Sequence, residues 1–148
     1  MEPHYYNVDV NWNTERKGIM CSPELNRDAG TCIEVATPPE FPKGMPGIWS
    51  PEHLFTAAVS SCLMTTFLSI AENSKLTYLS FICKSKGKLE QVDGKFLMSE
   101  VILEPTVTIT DEKDRERAEK VLQKSEAACL ISNSVKSKVT MIAIINIR

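Results

Sequence analysis

The chain has 148 residues, of which 43% are hydrophobic and 24% are charged, and its formal net charge at pH 7 is -2. This composition is typical of a single globular domain covering 1–148, and it gives no electrostatic reason to expect binding to nucleic acid or to a membrane. The first residues lack the basic segment and apolar core of a secretory signal, which favours a cytoplasmic protein.

The first third of the chain is predicted to form strands and turns. Apolar and polar residues alternate over 5–12, which predicts a half-buried antiparallel strand. A turn over 13–18 and two short strands, 19–22 and 30–36, are expected to follow. The segment 37–49 is rich in proline and glycine, so we expect a stiff loop there.

The most apolar stretch, 54–71, is predicted to lie on a long central helix. Ser50 can cap the first amide groups, Pro51 suits the first helical position, and Glu52 complements the helix dipole. Six serines and threonines interrupt the stretch, so a buried helix is a better interpretation than a membrane span. Apolar residues on nearly every face predict burial all round, which favours a second copy of the chain as the cover.

Two β-rich runs, 77–89 and 95–110, follow the helix. The Asp93-Gly94 pair between them predicts a hairpin turn. Pro105 indicates an edge position or a bulge, because proline cannot donate a backbone hydrogen bond.

A second helix is predicted from Asp111, and a last strand over 138–147. Helical spacing places four residues on the inward stripe of this helix: Ala118, Leu122, Ser125 and Cys129. The order of strands, helix, strands, helix and strand predicts an α+β domain with a mostly antiparallel sheet.

Five cysteines are scattered along the chain, at positions 21, 32, 62, 83 and 129. There is no Cys-x-x-Cys sequence and there are only two histidines, His4 and His53, so we expect no metal and no other cofactor. A disulfide framework is not expected in a reducing compartment, and Cys21, Cys32 and Cys83 are interpreted as packing residues. By composition alone Cys62 is also interpreted as a core residue. Burial would keep its thiol protonated and therefore unreactive.

The sequences around Cys62 and Cys129 change that interpretation. Trp49-Ser-Pro-Glu-His-Leu-Phe55 leads to Ala-Ala-Val-Ser-Ser-Cys62, and Ala-Ala-Cys129-Leu-Ile-Ser-Asn-Ser134 follows later. This pattern of a Pro-Glu-x-Leu helix start, a cysteine ten residues after the glutamate and a later Cys-x-x-Ser resembles the family of osmotically inducible protein C and organic hydroperoxide resistance protein (OsmC/Ohr). The matching order of motifs and elements covers nearly the whole chain.

The resemblance implies an OsmC-like fold, an intertwined homodimer and a cysteine-dependent peroxidase that reduces organic hydroperoxides. By matching motif, Cys62 is the peroxidatic cysteine and Cys129 is the resolving cysteine that forms a disulfide with it. An external dithiol is implied as the reductant. Glu52 matches the family's glutamate. For the family's arginine, Arg16 is the candidate in the first turn, within Thr-Glu-Arg-Lys-Gly instead of a glycine-rich turn, and Arg27 is the alternative.

The chemistry explains why these residue types belong together. A thiolate must attack the O–O bond, and a donor or cation must stabilise the charge on the leaving oxygen. An arginine held by a carboxylate supplies that cation. On one helix, however, Glu52 and Cys62 are separated by about 15 Å of axis. Glu52 can therefore serve Cys62 only from a second subunit, through a helix break or through an intervening arginine.

The same helical separation excludes His53 as a base for Cys62, which disfavours a Cys-His hydrolase. A redox sensor without turnover, or a protein that binds a small apolar ligand, remains the alternative function.

Overall fold

The computed structural model describes residues 1–25 and 30–148, and the candidate Arg27 lies outside the described residues. The chain forms two compact units, Met1–Leu54 and Phe55–Arg148. The first unit carries a three-stranded sheet and the second carries a four-stranded sheet. The long helix α1 (Pro51–Asn73) begins in the first unit and continues in the second.

Three antiparallel strands build the sheet of the first unit: β1 (Asp9–Thr14), β2 (Lys17–Cys21) and β3 (Ile33–Ala36). β1 and β2 are joined by a tight turn at Glu15 and Arg16, where Glu15 adopts a φ of +50°. The side chain of Trp12 donates a hydrogen bond to the carbonyl of Glu15 (3.0 Å) and supports this turn. The turn thus presents Arg16 at one end of the sheet.

Within a single copy of the chain, the first strand is not half-buried, so that prediction is wrong. β1 begins at Asp9 and is exposed on both faces, with Val10 62% and Trp12 76% accessible to solvent. The alternating pattern places Val10 and Trp12 on one face as expected, but no described residue covers that face. Burial of a strand needs a second layer, and the local sequence pattern cannot show where that layer comes from.

Cys21 and Cys32 form a disulfide, with their Cα atoms 4.5 Å apart. Their interpretation as packing residues is therefore corrected. The pairing of β2 with β3 brings them together, and the spacing of the cysteines along the sequence does not reveal that register.

The start of α1 agrees with its sequence signal. The hydroxyl of Ser50 accepts a hydrogen bond from the backbone N–H of His53 (3.2 Å). In return, Nδ1 of His53 accepts from the backbone N–H of Ser50 (3.3 Å) and lies 2.7 Å from its hydroxyl oxygen. This is a reciprocal capping box in which histidine replaces the usual glutamate. The preceding segment 37–49 contains no helix or extended strand, as predicted.

α1 is not buried all round within this chain. Its buried residues form one stripe: Val59, Cys62, Leu63, Phe67 and Ala71. Met64 and Leu68 on other faces are 39% and 41% exposed. By length and composition α1 could cross a bilayer, a test that the core helices of globular proteins also pass. The exposed apolar faces are the feature that needs an explanation.

The sheet of the second unit is built on a long hairpin of β4 (Ser80–Val92) and β5 (Lys95–Ile109). Asp93 and Gly94 form its turn with φ values of +50° and +78°, which confirms the predicted hairpin. The expected single last strand is two strands, β6 (Lys138–Met141) and β7 (Ile144–Ile147), and both run parallel to β5.

Pro105 lies in the central strand β5 and not at a sheet edge, which corrects the prediction. β5 pairs with β6 as far as Leu103 and with β7 from Thr106. The carbonyl of Leu103 accepts from the N–H of Ile142 on that side (2.8 Å). Backbone groups two residues apart on a strand face the same neighbour, so the nitrogen of Pro105 also faces the β6 and β7 side, at the gap between these two strands. Its missing N–H costs no ladder hydrogen bond there.

The second helix, α2 (Arg115–Ala128), starts after a short 3-10 turn at Glu112–Asp114 that Asp111 caps. Its predicted inward stripe is confirmed, since Ala118, Leu122, Ser125 and Cys129 are all buried. The core of the second unit packs this stripe and the buried face of α1 against β5. Within the described residues, two α-helices and mostly antiparallel sheets confirm the predicted α+β class.

Candidate active site

The second unit brings Cys62 and Cys129 side by side. Cys62 lies in the middle of α1, and Cys129 is the residue at which the backbone leaves α2. Both carry free thiols. Cys129 is fully buried and Cys62 is 9% exposed, so Cys62 is the more accessible of the two. The thiol of Cys129 is hydrogen-bonded to the sulfur of Cys62.

The chain that follows Cys129 supplies backbone donors to this pair. It turns back on itself, and the carbonyl of Cys129 accepts the N–H of Asn133 (3.0 Å). The first amide groups of such a turn have no carbonyl partner inside it. Two of them, from Leu130 and Ile131, instead donate to the sulfur of Cys62.

These contacts set the protonation order of the two thiols. Burial raises the pKa of the Cys62 thiol, but the N–H of Ile131, the thiol of Cys129, and then the Thr66 hydroxyl and the Leu130 N–H stabilise its thiolate. Thr66 Oγ1 lies 3.9 Å from the Cys62 sulfur. The net result is a Cys62 pKa below its ordinary value.

Cys129 is shifted in the opposite direction. Burial raises the pKa of the Cys129 thiol, and the hydroxyl and backbone N–H of Ser132 oppose that rise. Its hydrogen bond to Cys62 and the negative charge there raise the pKa further, so the net shift is upward. The pair therefore loses its first proton from Cys62, while Cys129 stays a thiol and donates its hydrogen bond.

Among the described residues, hydrogen bonds account for the lowered pKa of Cys62, and no cation of this chain contributes to it. Thr66 could have been found from the sequence, because it lies one helical turn after Cys62 on the same face. The amides of Leu130 and Ile131 could not, because a backbone donor is independent of residue type.

In the first unit, Arg16 and Glu52 line one cavity of about 520 Å³, together with Trp12 and Phe41. This volume is within the range of small-molecule sites. The carbonyl of Arg16 accepts the N–H of Thr37 (3.1 Å), which ties the turn to the proline-rich loop. Oε2 of Glu52 is shielded from solvent. The cavity thus combines a cation, a carboxylate and apolar walls.

The helix geometry assumed for Glu52 and Cys62 also holds, because α1 is one uninterrupted helix from Pro51 to Asn73. His53 is exposed, and its ring serves the capping box at Ser50. Cys83, the third free cysteine, packs against the core of the second unit, and burial raises its pKa. These positions leave Cys62 as the described thiol whose pKa is lowered.

Comparison with known proteins gives a consistent result. Residues 44–143 match the family model described as OsmC-like protein. The uncharacterized protein YmaD of Bacillus subtilis is 24% identical over 144 residues, which cover 95% of this chain and 93% of that protein.

Solved structures show the same fold. An OsmC-like protein of unknown function from Vibrio cholerae has a TM-score of 0.82 and 26% identity, covering 96% of this chain and 100% of its own. An organic hydroperoxide resistance protein OsmC from Legionella pneumophila has a TM-score of 0.75 and 19% identity, covering 99% and 100%. The organic hydroperoxide resistance protein OhrB of Bacillus subtilis has a TM-score of 0.65 and 17% identity, covering 96% and 98%.

Proposed function

Since the chain belongs to the family of OsmC-like proteins, we propose that it is a thiol-dependent peroxidase that reduces organic hydroperoxides. The observation that carries this proposal is the Cys62–Cys129 pair, in which the more accessible thiol has a lowered pKa and is hydrogen-bonded to a fully buried thiol of raised pKa. We extend the proposal to a cytoplasmic role in defence against oxidative stress.

The reaction follows from the order in which the two thiols ionise. The thiolate of Cys62 attacks the terminal oxygen of the hydroperoxide, the O–O bond breaks, and the leaving alkoxide takes a proton to become the alcohol. Cys62 is thereby oxidised to the sulfenic acid. Cys129 then attacks that sulfur, water leaves, and a Cys62–Cys129 disulfide forms. An external dithiol reduces the disulfide by exchange and is itself oxidised to a disulfide.

Turnover with different peroxides tests this proposal. With excess dithiothreitol, we expect catalytic consumption of cumene hydroperoxide and of a lipid hydroperoxide at higher kcat/KM than of hydrogen peroxide, since the apolar residues Leu130 and Ile131 flank the Cys62 sulfur. Formation of a Cys62–Cys129 disulfide without further peroxide consumption would favour a redox sensor. The apolar cavity at Arg16 leaves ligand binding as the other candidate, and tight binding of an apolar molecule without any peroxide reduction would favour it.

We also propose that the chain acts as a homodimer. Exposed apolar residues occur on α1 at Met64 and Leu68 and on β1 at Val10 and Trp12, and a second copy of the chain is the simplest cover for them. Sedimentation velocity at micromolar concentration should give a dimer, and Leu68→Glu should shift it toward monomer because a buried charge is costly. A wild-type chain that sediments as a stable monomer would contradict the dimer.

Arg16 and Glu52 are proposed to complete the site from the second copy of the chain. Arg16 would donate to the peroxide and add to the stabilisation of the Cys62 thiolate, and Glu52 would hold the guanidinium in place. The two residues already line one cavity within their own unit.

Replacing Arg16 by methionine keeps much of the stem and removes the charge. We expect the Cys62 pKa to rise and its alkylation rate at pH 7 to fall at least about tenfold, the effect of roughly one pKa unit. The rate of iodoacetamide alkylation measured from pH 5 to 10 checks this, and its midpoint in the wild type should lie below the ordinary thiol value.

Lys88→Met is the matched control for Arg16→Met. Lys88 lies 3.3 Å from Glu90 on β4 and does not line the cavity at Arg16, so its removal should leave the alkylation profile unchanged. An unaltered profile in Arg16→Met would mean that the hydrogen bonds around Cys62 are sufficient or that another cation acts on it, and Arg27 and Lys17 would then be tested.

A further inference from the structure

The disulfide between Cys21 and Cys32 lies outside the chemistry proposed for the second unit. In the pairing of β2 with β3, Met20 lies opposite Ile33, so the two cysteines occupy the next directly opposite positions. Their Cα separation of 4.5 Å is that of a pair without backbone hydrogen bonds between its members. The register of β2 and β3 thus places the two cysteines opposite each other, directly beyond the last paired residues of the ladder.

The surroundings of this disulfide connect it to the N-terminal segment. Directly after Cys21, the hydroxyl of Ser22 accepts the N–H of Glu24 (3.2 Å), and the carbonyl of Ser22 accepts the N–H of Leu25 (3.2 Å). The carboxylate of Glu24 then accepts the backbone N–H of Asn7, at 3.0 and 3.1 Å. Three parts of the chain thus meet beside the disulfide: the start of β1, the end of β2 and the approach to β3.

Both cysteines of this disulfide are partly exposed. Thiol–disulfide exchange requires that an attacking thiolate reach one of the sulfurs, and peroxide oxidation requires an accessible thiol. The free pair of the second unit is much less accessible, with Cys62 9% and Cys129 0% exposed. On accessibility alone, Cys21 and Cys32 are the better target for an external protein dithiol.

We propose that Cys21 and Cys32 form a second, reversible redox centre, oxidised by hydroperoxide and reduced by an external dithiol, whose state controls how firmly the segment around Asn7 is held. A hydroperoxide oxidises one thiol to a sulfenic acid and leaves as the alcohol. The second thiol then displaces water and closes the disulfide. A dithiol opens it by exchange and becomes a disulfide in turn. This centre does not depend on the function proposed for Cys62.

The effect on the N-terminal segment follows from chain entropy. The disulfide joins residues separated by 11 positions and so limits the conformations of the chain between them. Glu24, which holds Asn7, lies within that closed loop. Opening the disulfide is therefore expected to loosen the Glu24–Asn7 contact while the pairing of β1 with β2 remains.

A variant that keeps only these two cysteines tests the proposal: Cys62→Ser, Cys83→Ser and Cys129→Ser combined. The folded variant is reduced with dithiothreitol, desalted, treated with excess cumene hydroperoxide, and alkylated with iodoacetamide at each stage. Intact mass and peptide mapping should show two alkylated cysteines after reduction, none after oxidation, and the same cycle on repetition. Addition of Cys32→Ser is the control, and it should abolish the cross-linked peptide.

Two results would overturn reversibility: thiols that stay alkylatable after peroxide, or a disulfide that opens only after denaturation. Circular dichroism of the reduced and oxidised variant should be the same, which separates reduction from unfolding. Because the variant lacks Cys62 and Cys129, failure of the proposed peroxidase activity would leave this test unaffected.

Hydrogen exchange tests the coupling to the N-terminal segment. The amides of Asn7 and Leu25 should exchange on the order of tenfold faster in the reduced form than in the oxidised form, while amides of β5 such as Val107 remain unchanged. Equal exchange at Asn7 in the two forms would overturn the coupling.

Discussion

In a background that carries Cys21→Ser and Cys32→Ser, replacing Cys62 by serine is expected to reduce hydroperoxide consumption to the uncatalysed rate. A serine hydroxyl is not ionised near neutral pH and forms no sulfenic acid, so the first step of the reaction has no nucleophile. The hydrogen bonds that lower the Cys62 pKa would have no thiolate to stabilise. The rate of peroxide consumption is measured with cumene hydroperoxide and dithiothreitol, and the peroxide that remains is determined by its oxidation of ferrous iron.

Cys83→Ser is the matched control for this experiment. Cys83 is also a free cysteine, but burial raises its pKa, so its removal should leave turnover intact. The thermal unfolding midpoint of each variant shows whether the fold survives. Unchanged steady-state activity in a folded Cys62→Ser variant would contradict the peroxidase proposal.

Local signals in the sequence predicted much of the fold. The start of α1 at Ser50-Pro51 and the Asp93-Gly94 turn depend on neighbouring residues only, and both were predicted correctly. The inward stripe of α2 follows from helical spacing in the same way. Such features depend on a few neighbouring residues, so they can be predicted without knowledge of the tertiary structure.

Features that depend on distant chain segments were predicted poorly. Pro105 fits a central strand only because β5 changes partner from β6 to β7 beside it. The disulfide of Cys21 with Cys32 depends on the register of β2 and β3. The exposed faces of β1 and α1 depend on what covers them, and that cover is not contained in the local pattern.

In the candidate site too, features set by local spacing were predicted, and features set by distant chain segments were not. Helical spacing predicted that Cys129 faces inward, but its position next to Cys62 was implied by the family resemblance and not by the spacing of the two residues. The donors from Leu130 and Ile131 are backbone groups, which any residue other than proline would provide. These N–H groups point at Cys62 because of the path that the backbone takes after α2, and the local sequence does not reveal this path.

Replacing Cys129 should separate the two steps of the reaction. Without a resolving thiol, the sulfenic acid of Cys62 is not converted to a disulfide and is open to further oxidation. With limiting dithiothreitol, Cys129→Ser is therefore expected to complete one turnover rapidly and then stop, as Cys62 accumulates as sulfinic and sulfonic acid. Mass spectrometry of the protein after each equivalent of peroxide detects the added oxygen atoms.

Cys129→Ala sharpens this experiment, because Cys129 also donates a hydrogen bond to the Cys62 sulfur. Serine keeps a donor at that position and alanine does not. Both variants should lose the disulfide, but only the alanine variant should raise the Cys62 pKa and slow the first turnover at pH 7. Equal first-turnover rates would mean that the amides of Ile131 and Leu130 and the hydroxyl of Thr66 suffice for the thiolate. Absence of a Cys62–Cys129 cross-link in wild-type protein after one equivalent of peroxide would contradict the resolving role, since the two hydrogen-bonded sulfurs need only a local shift to join.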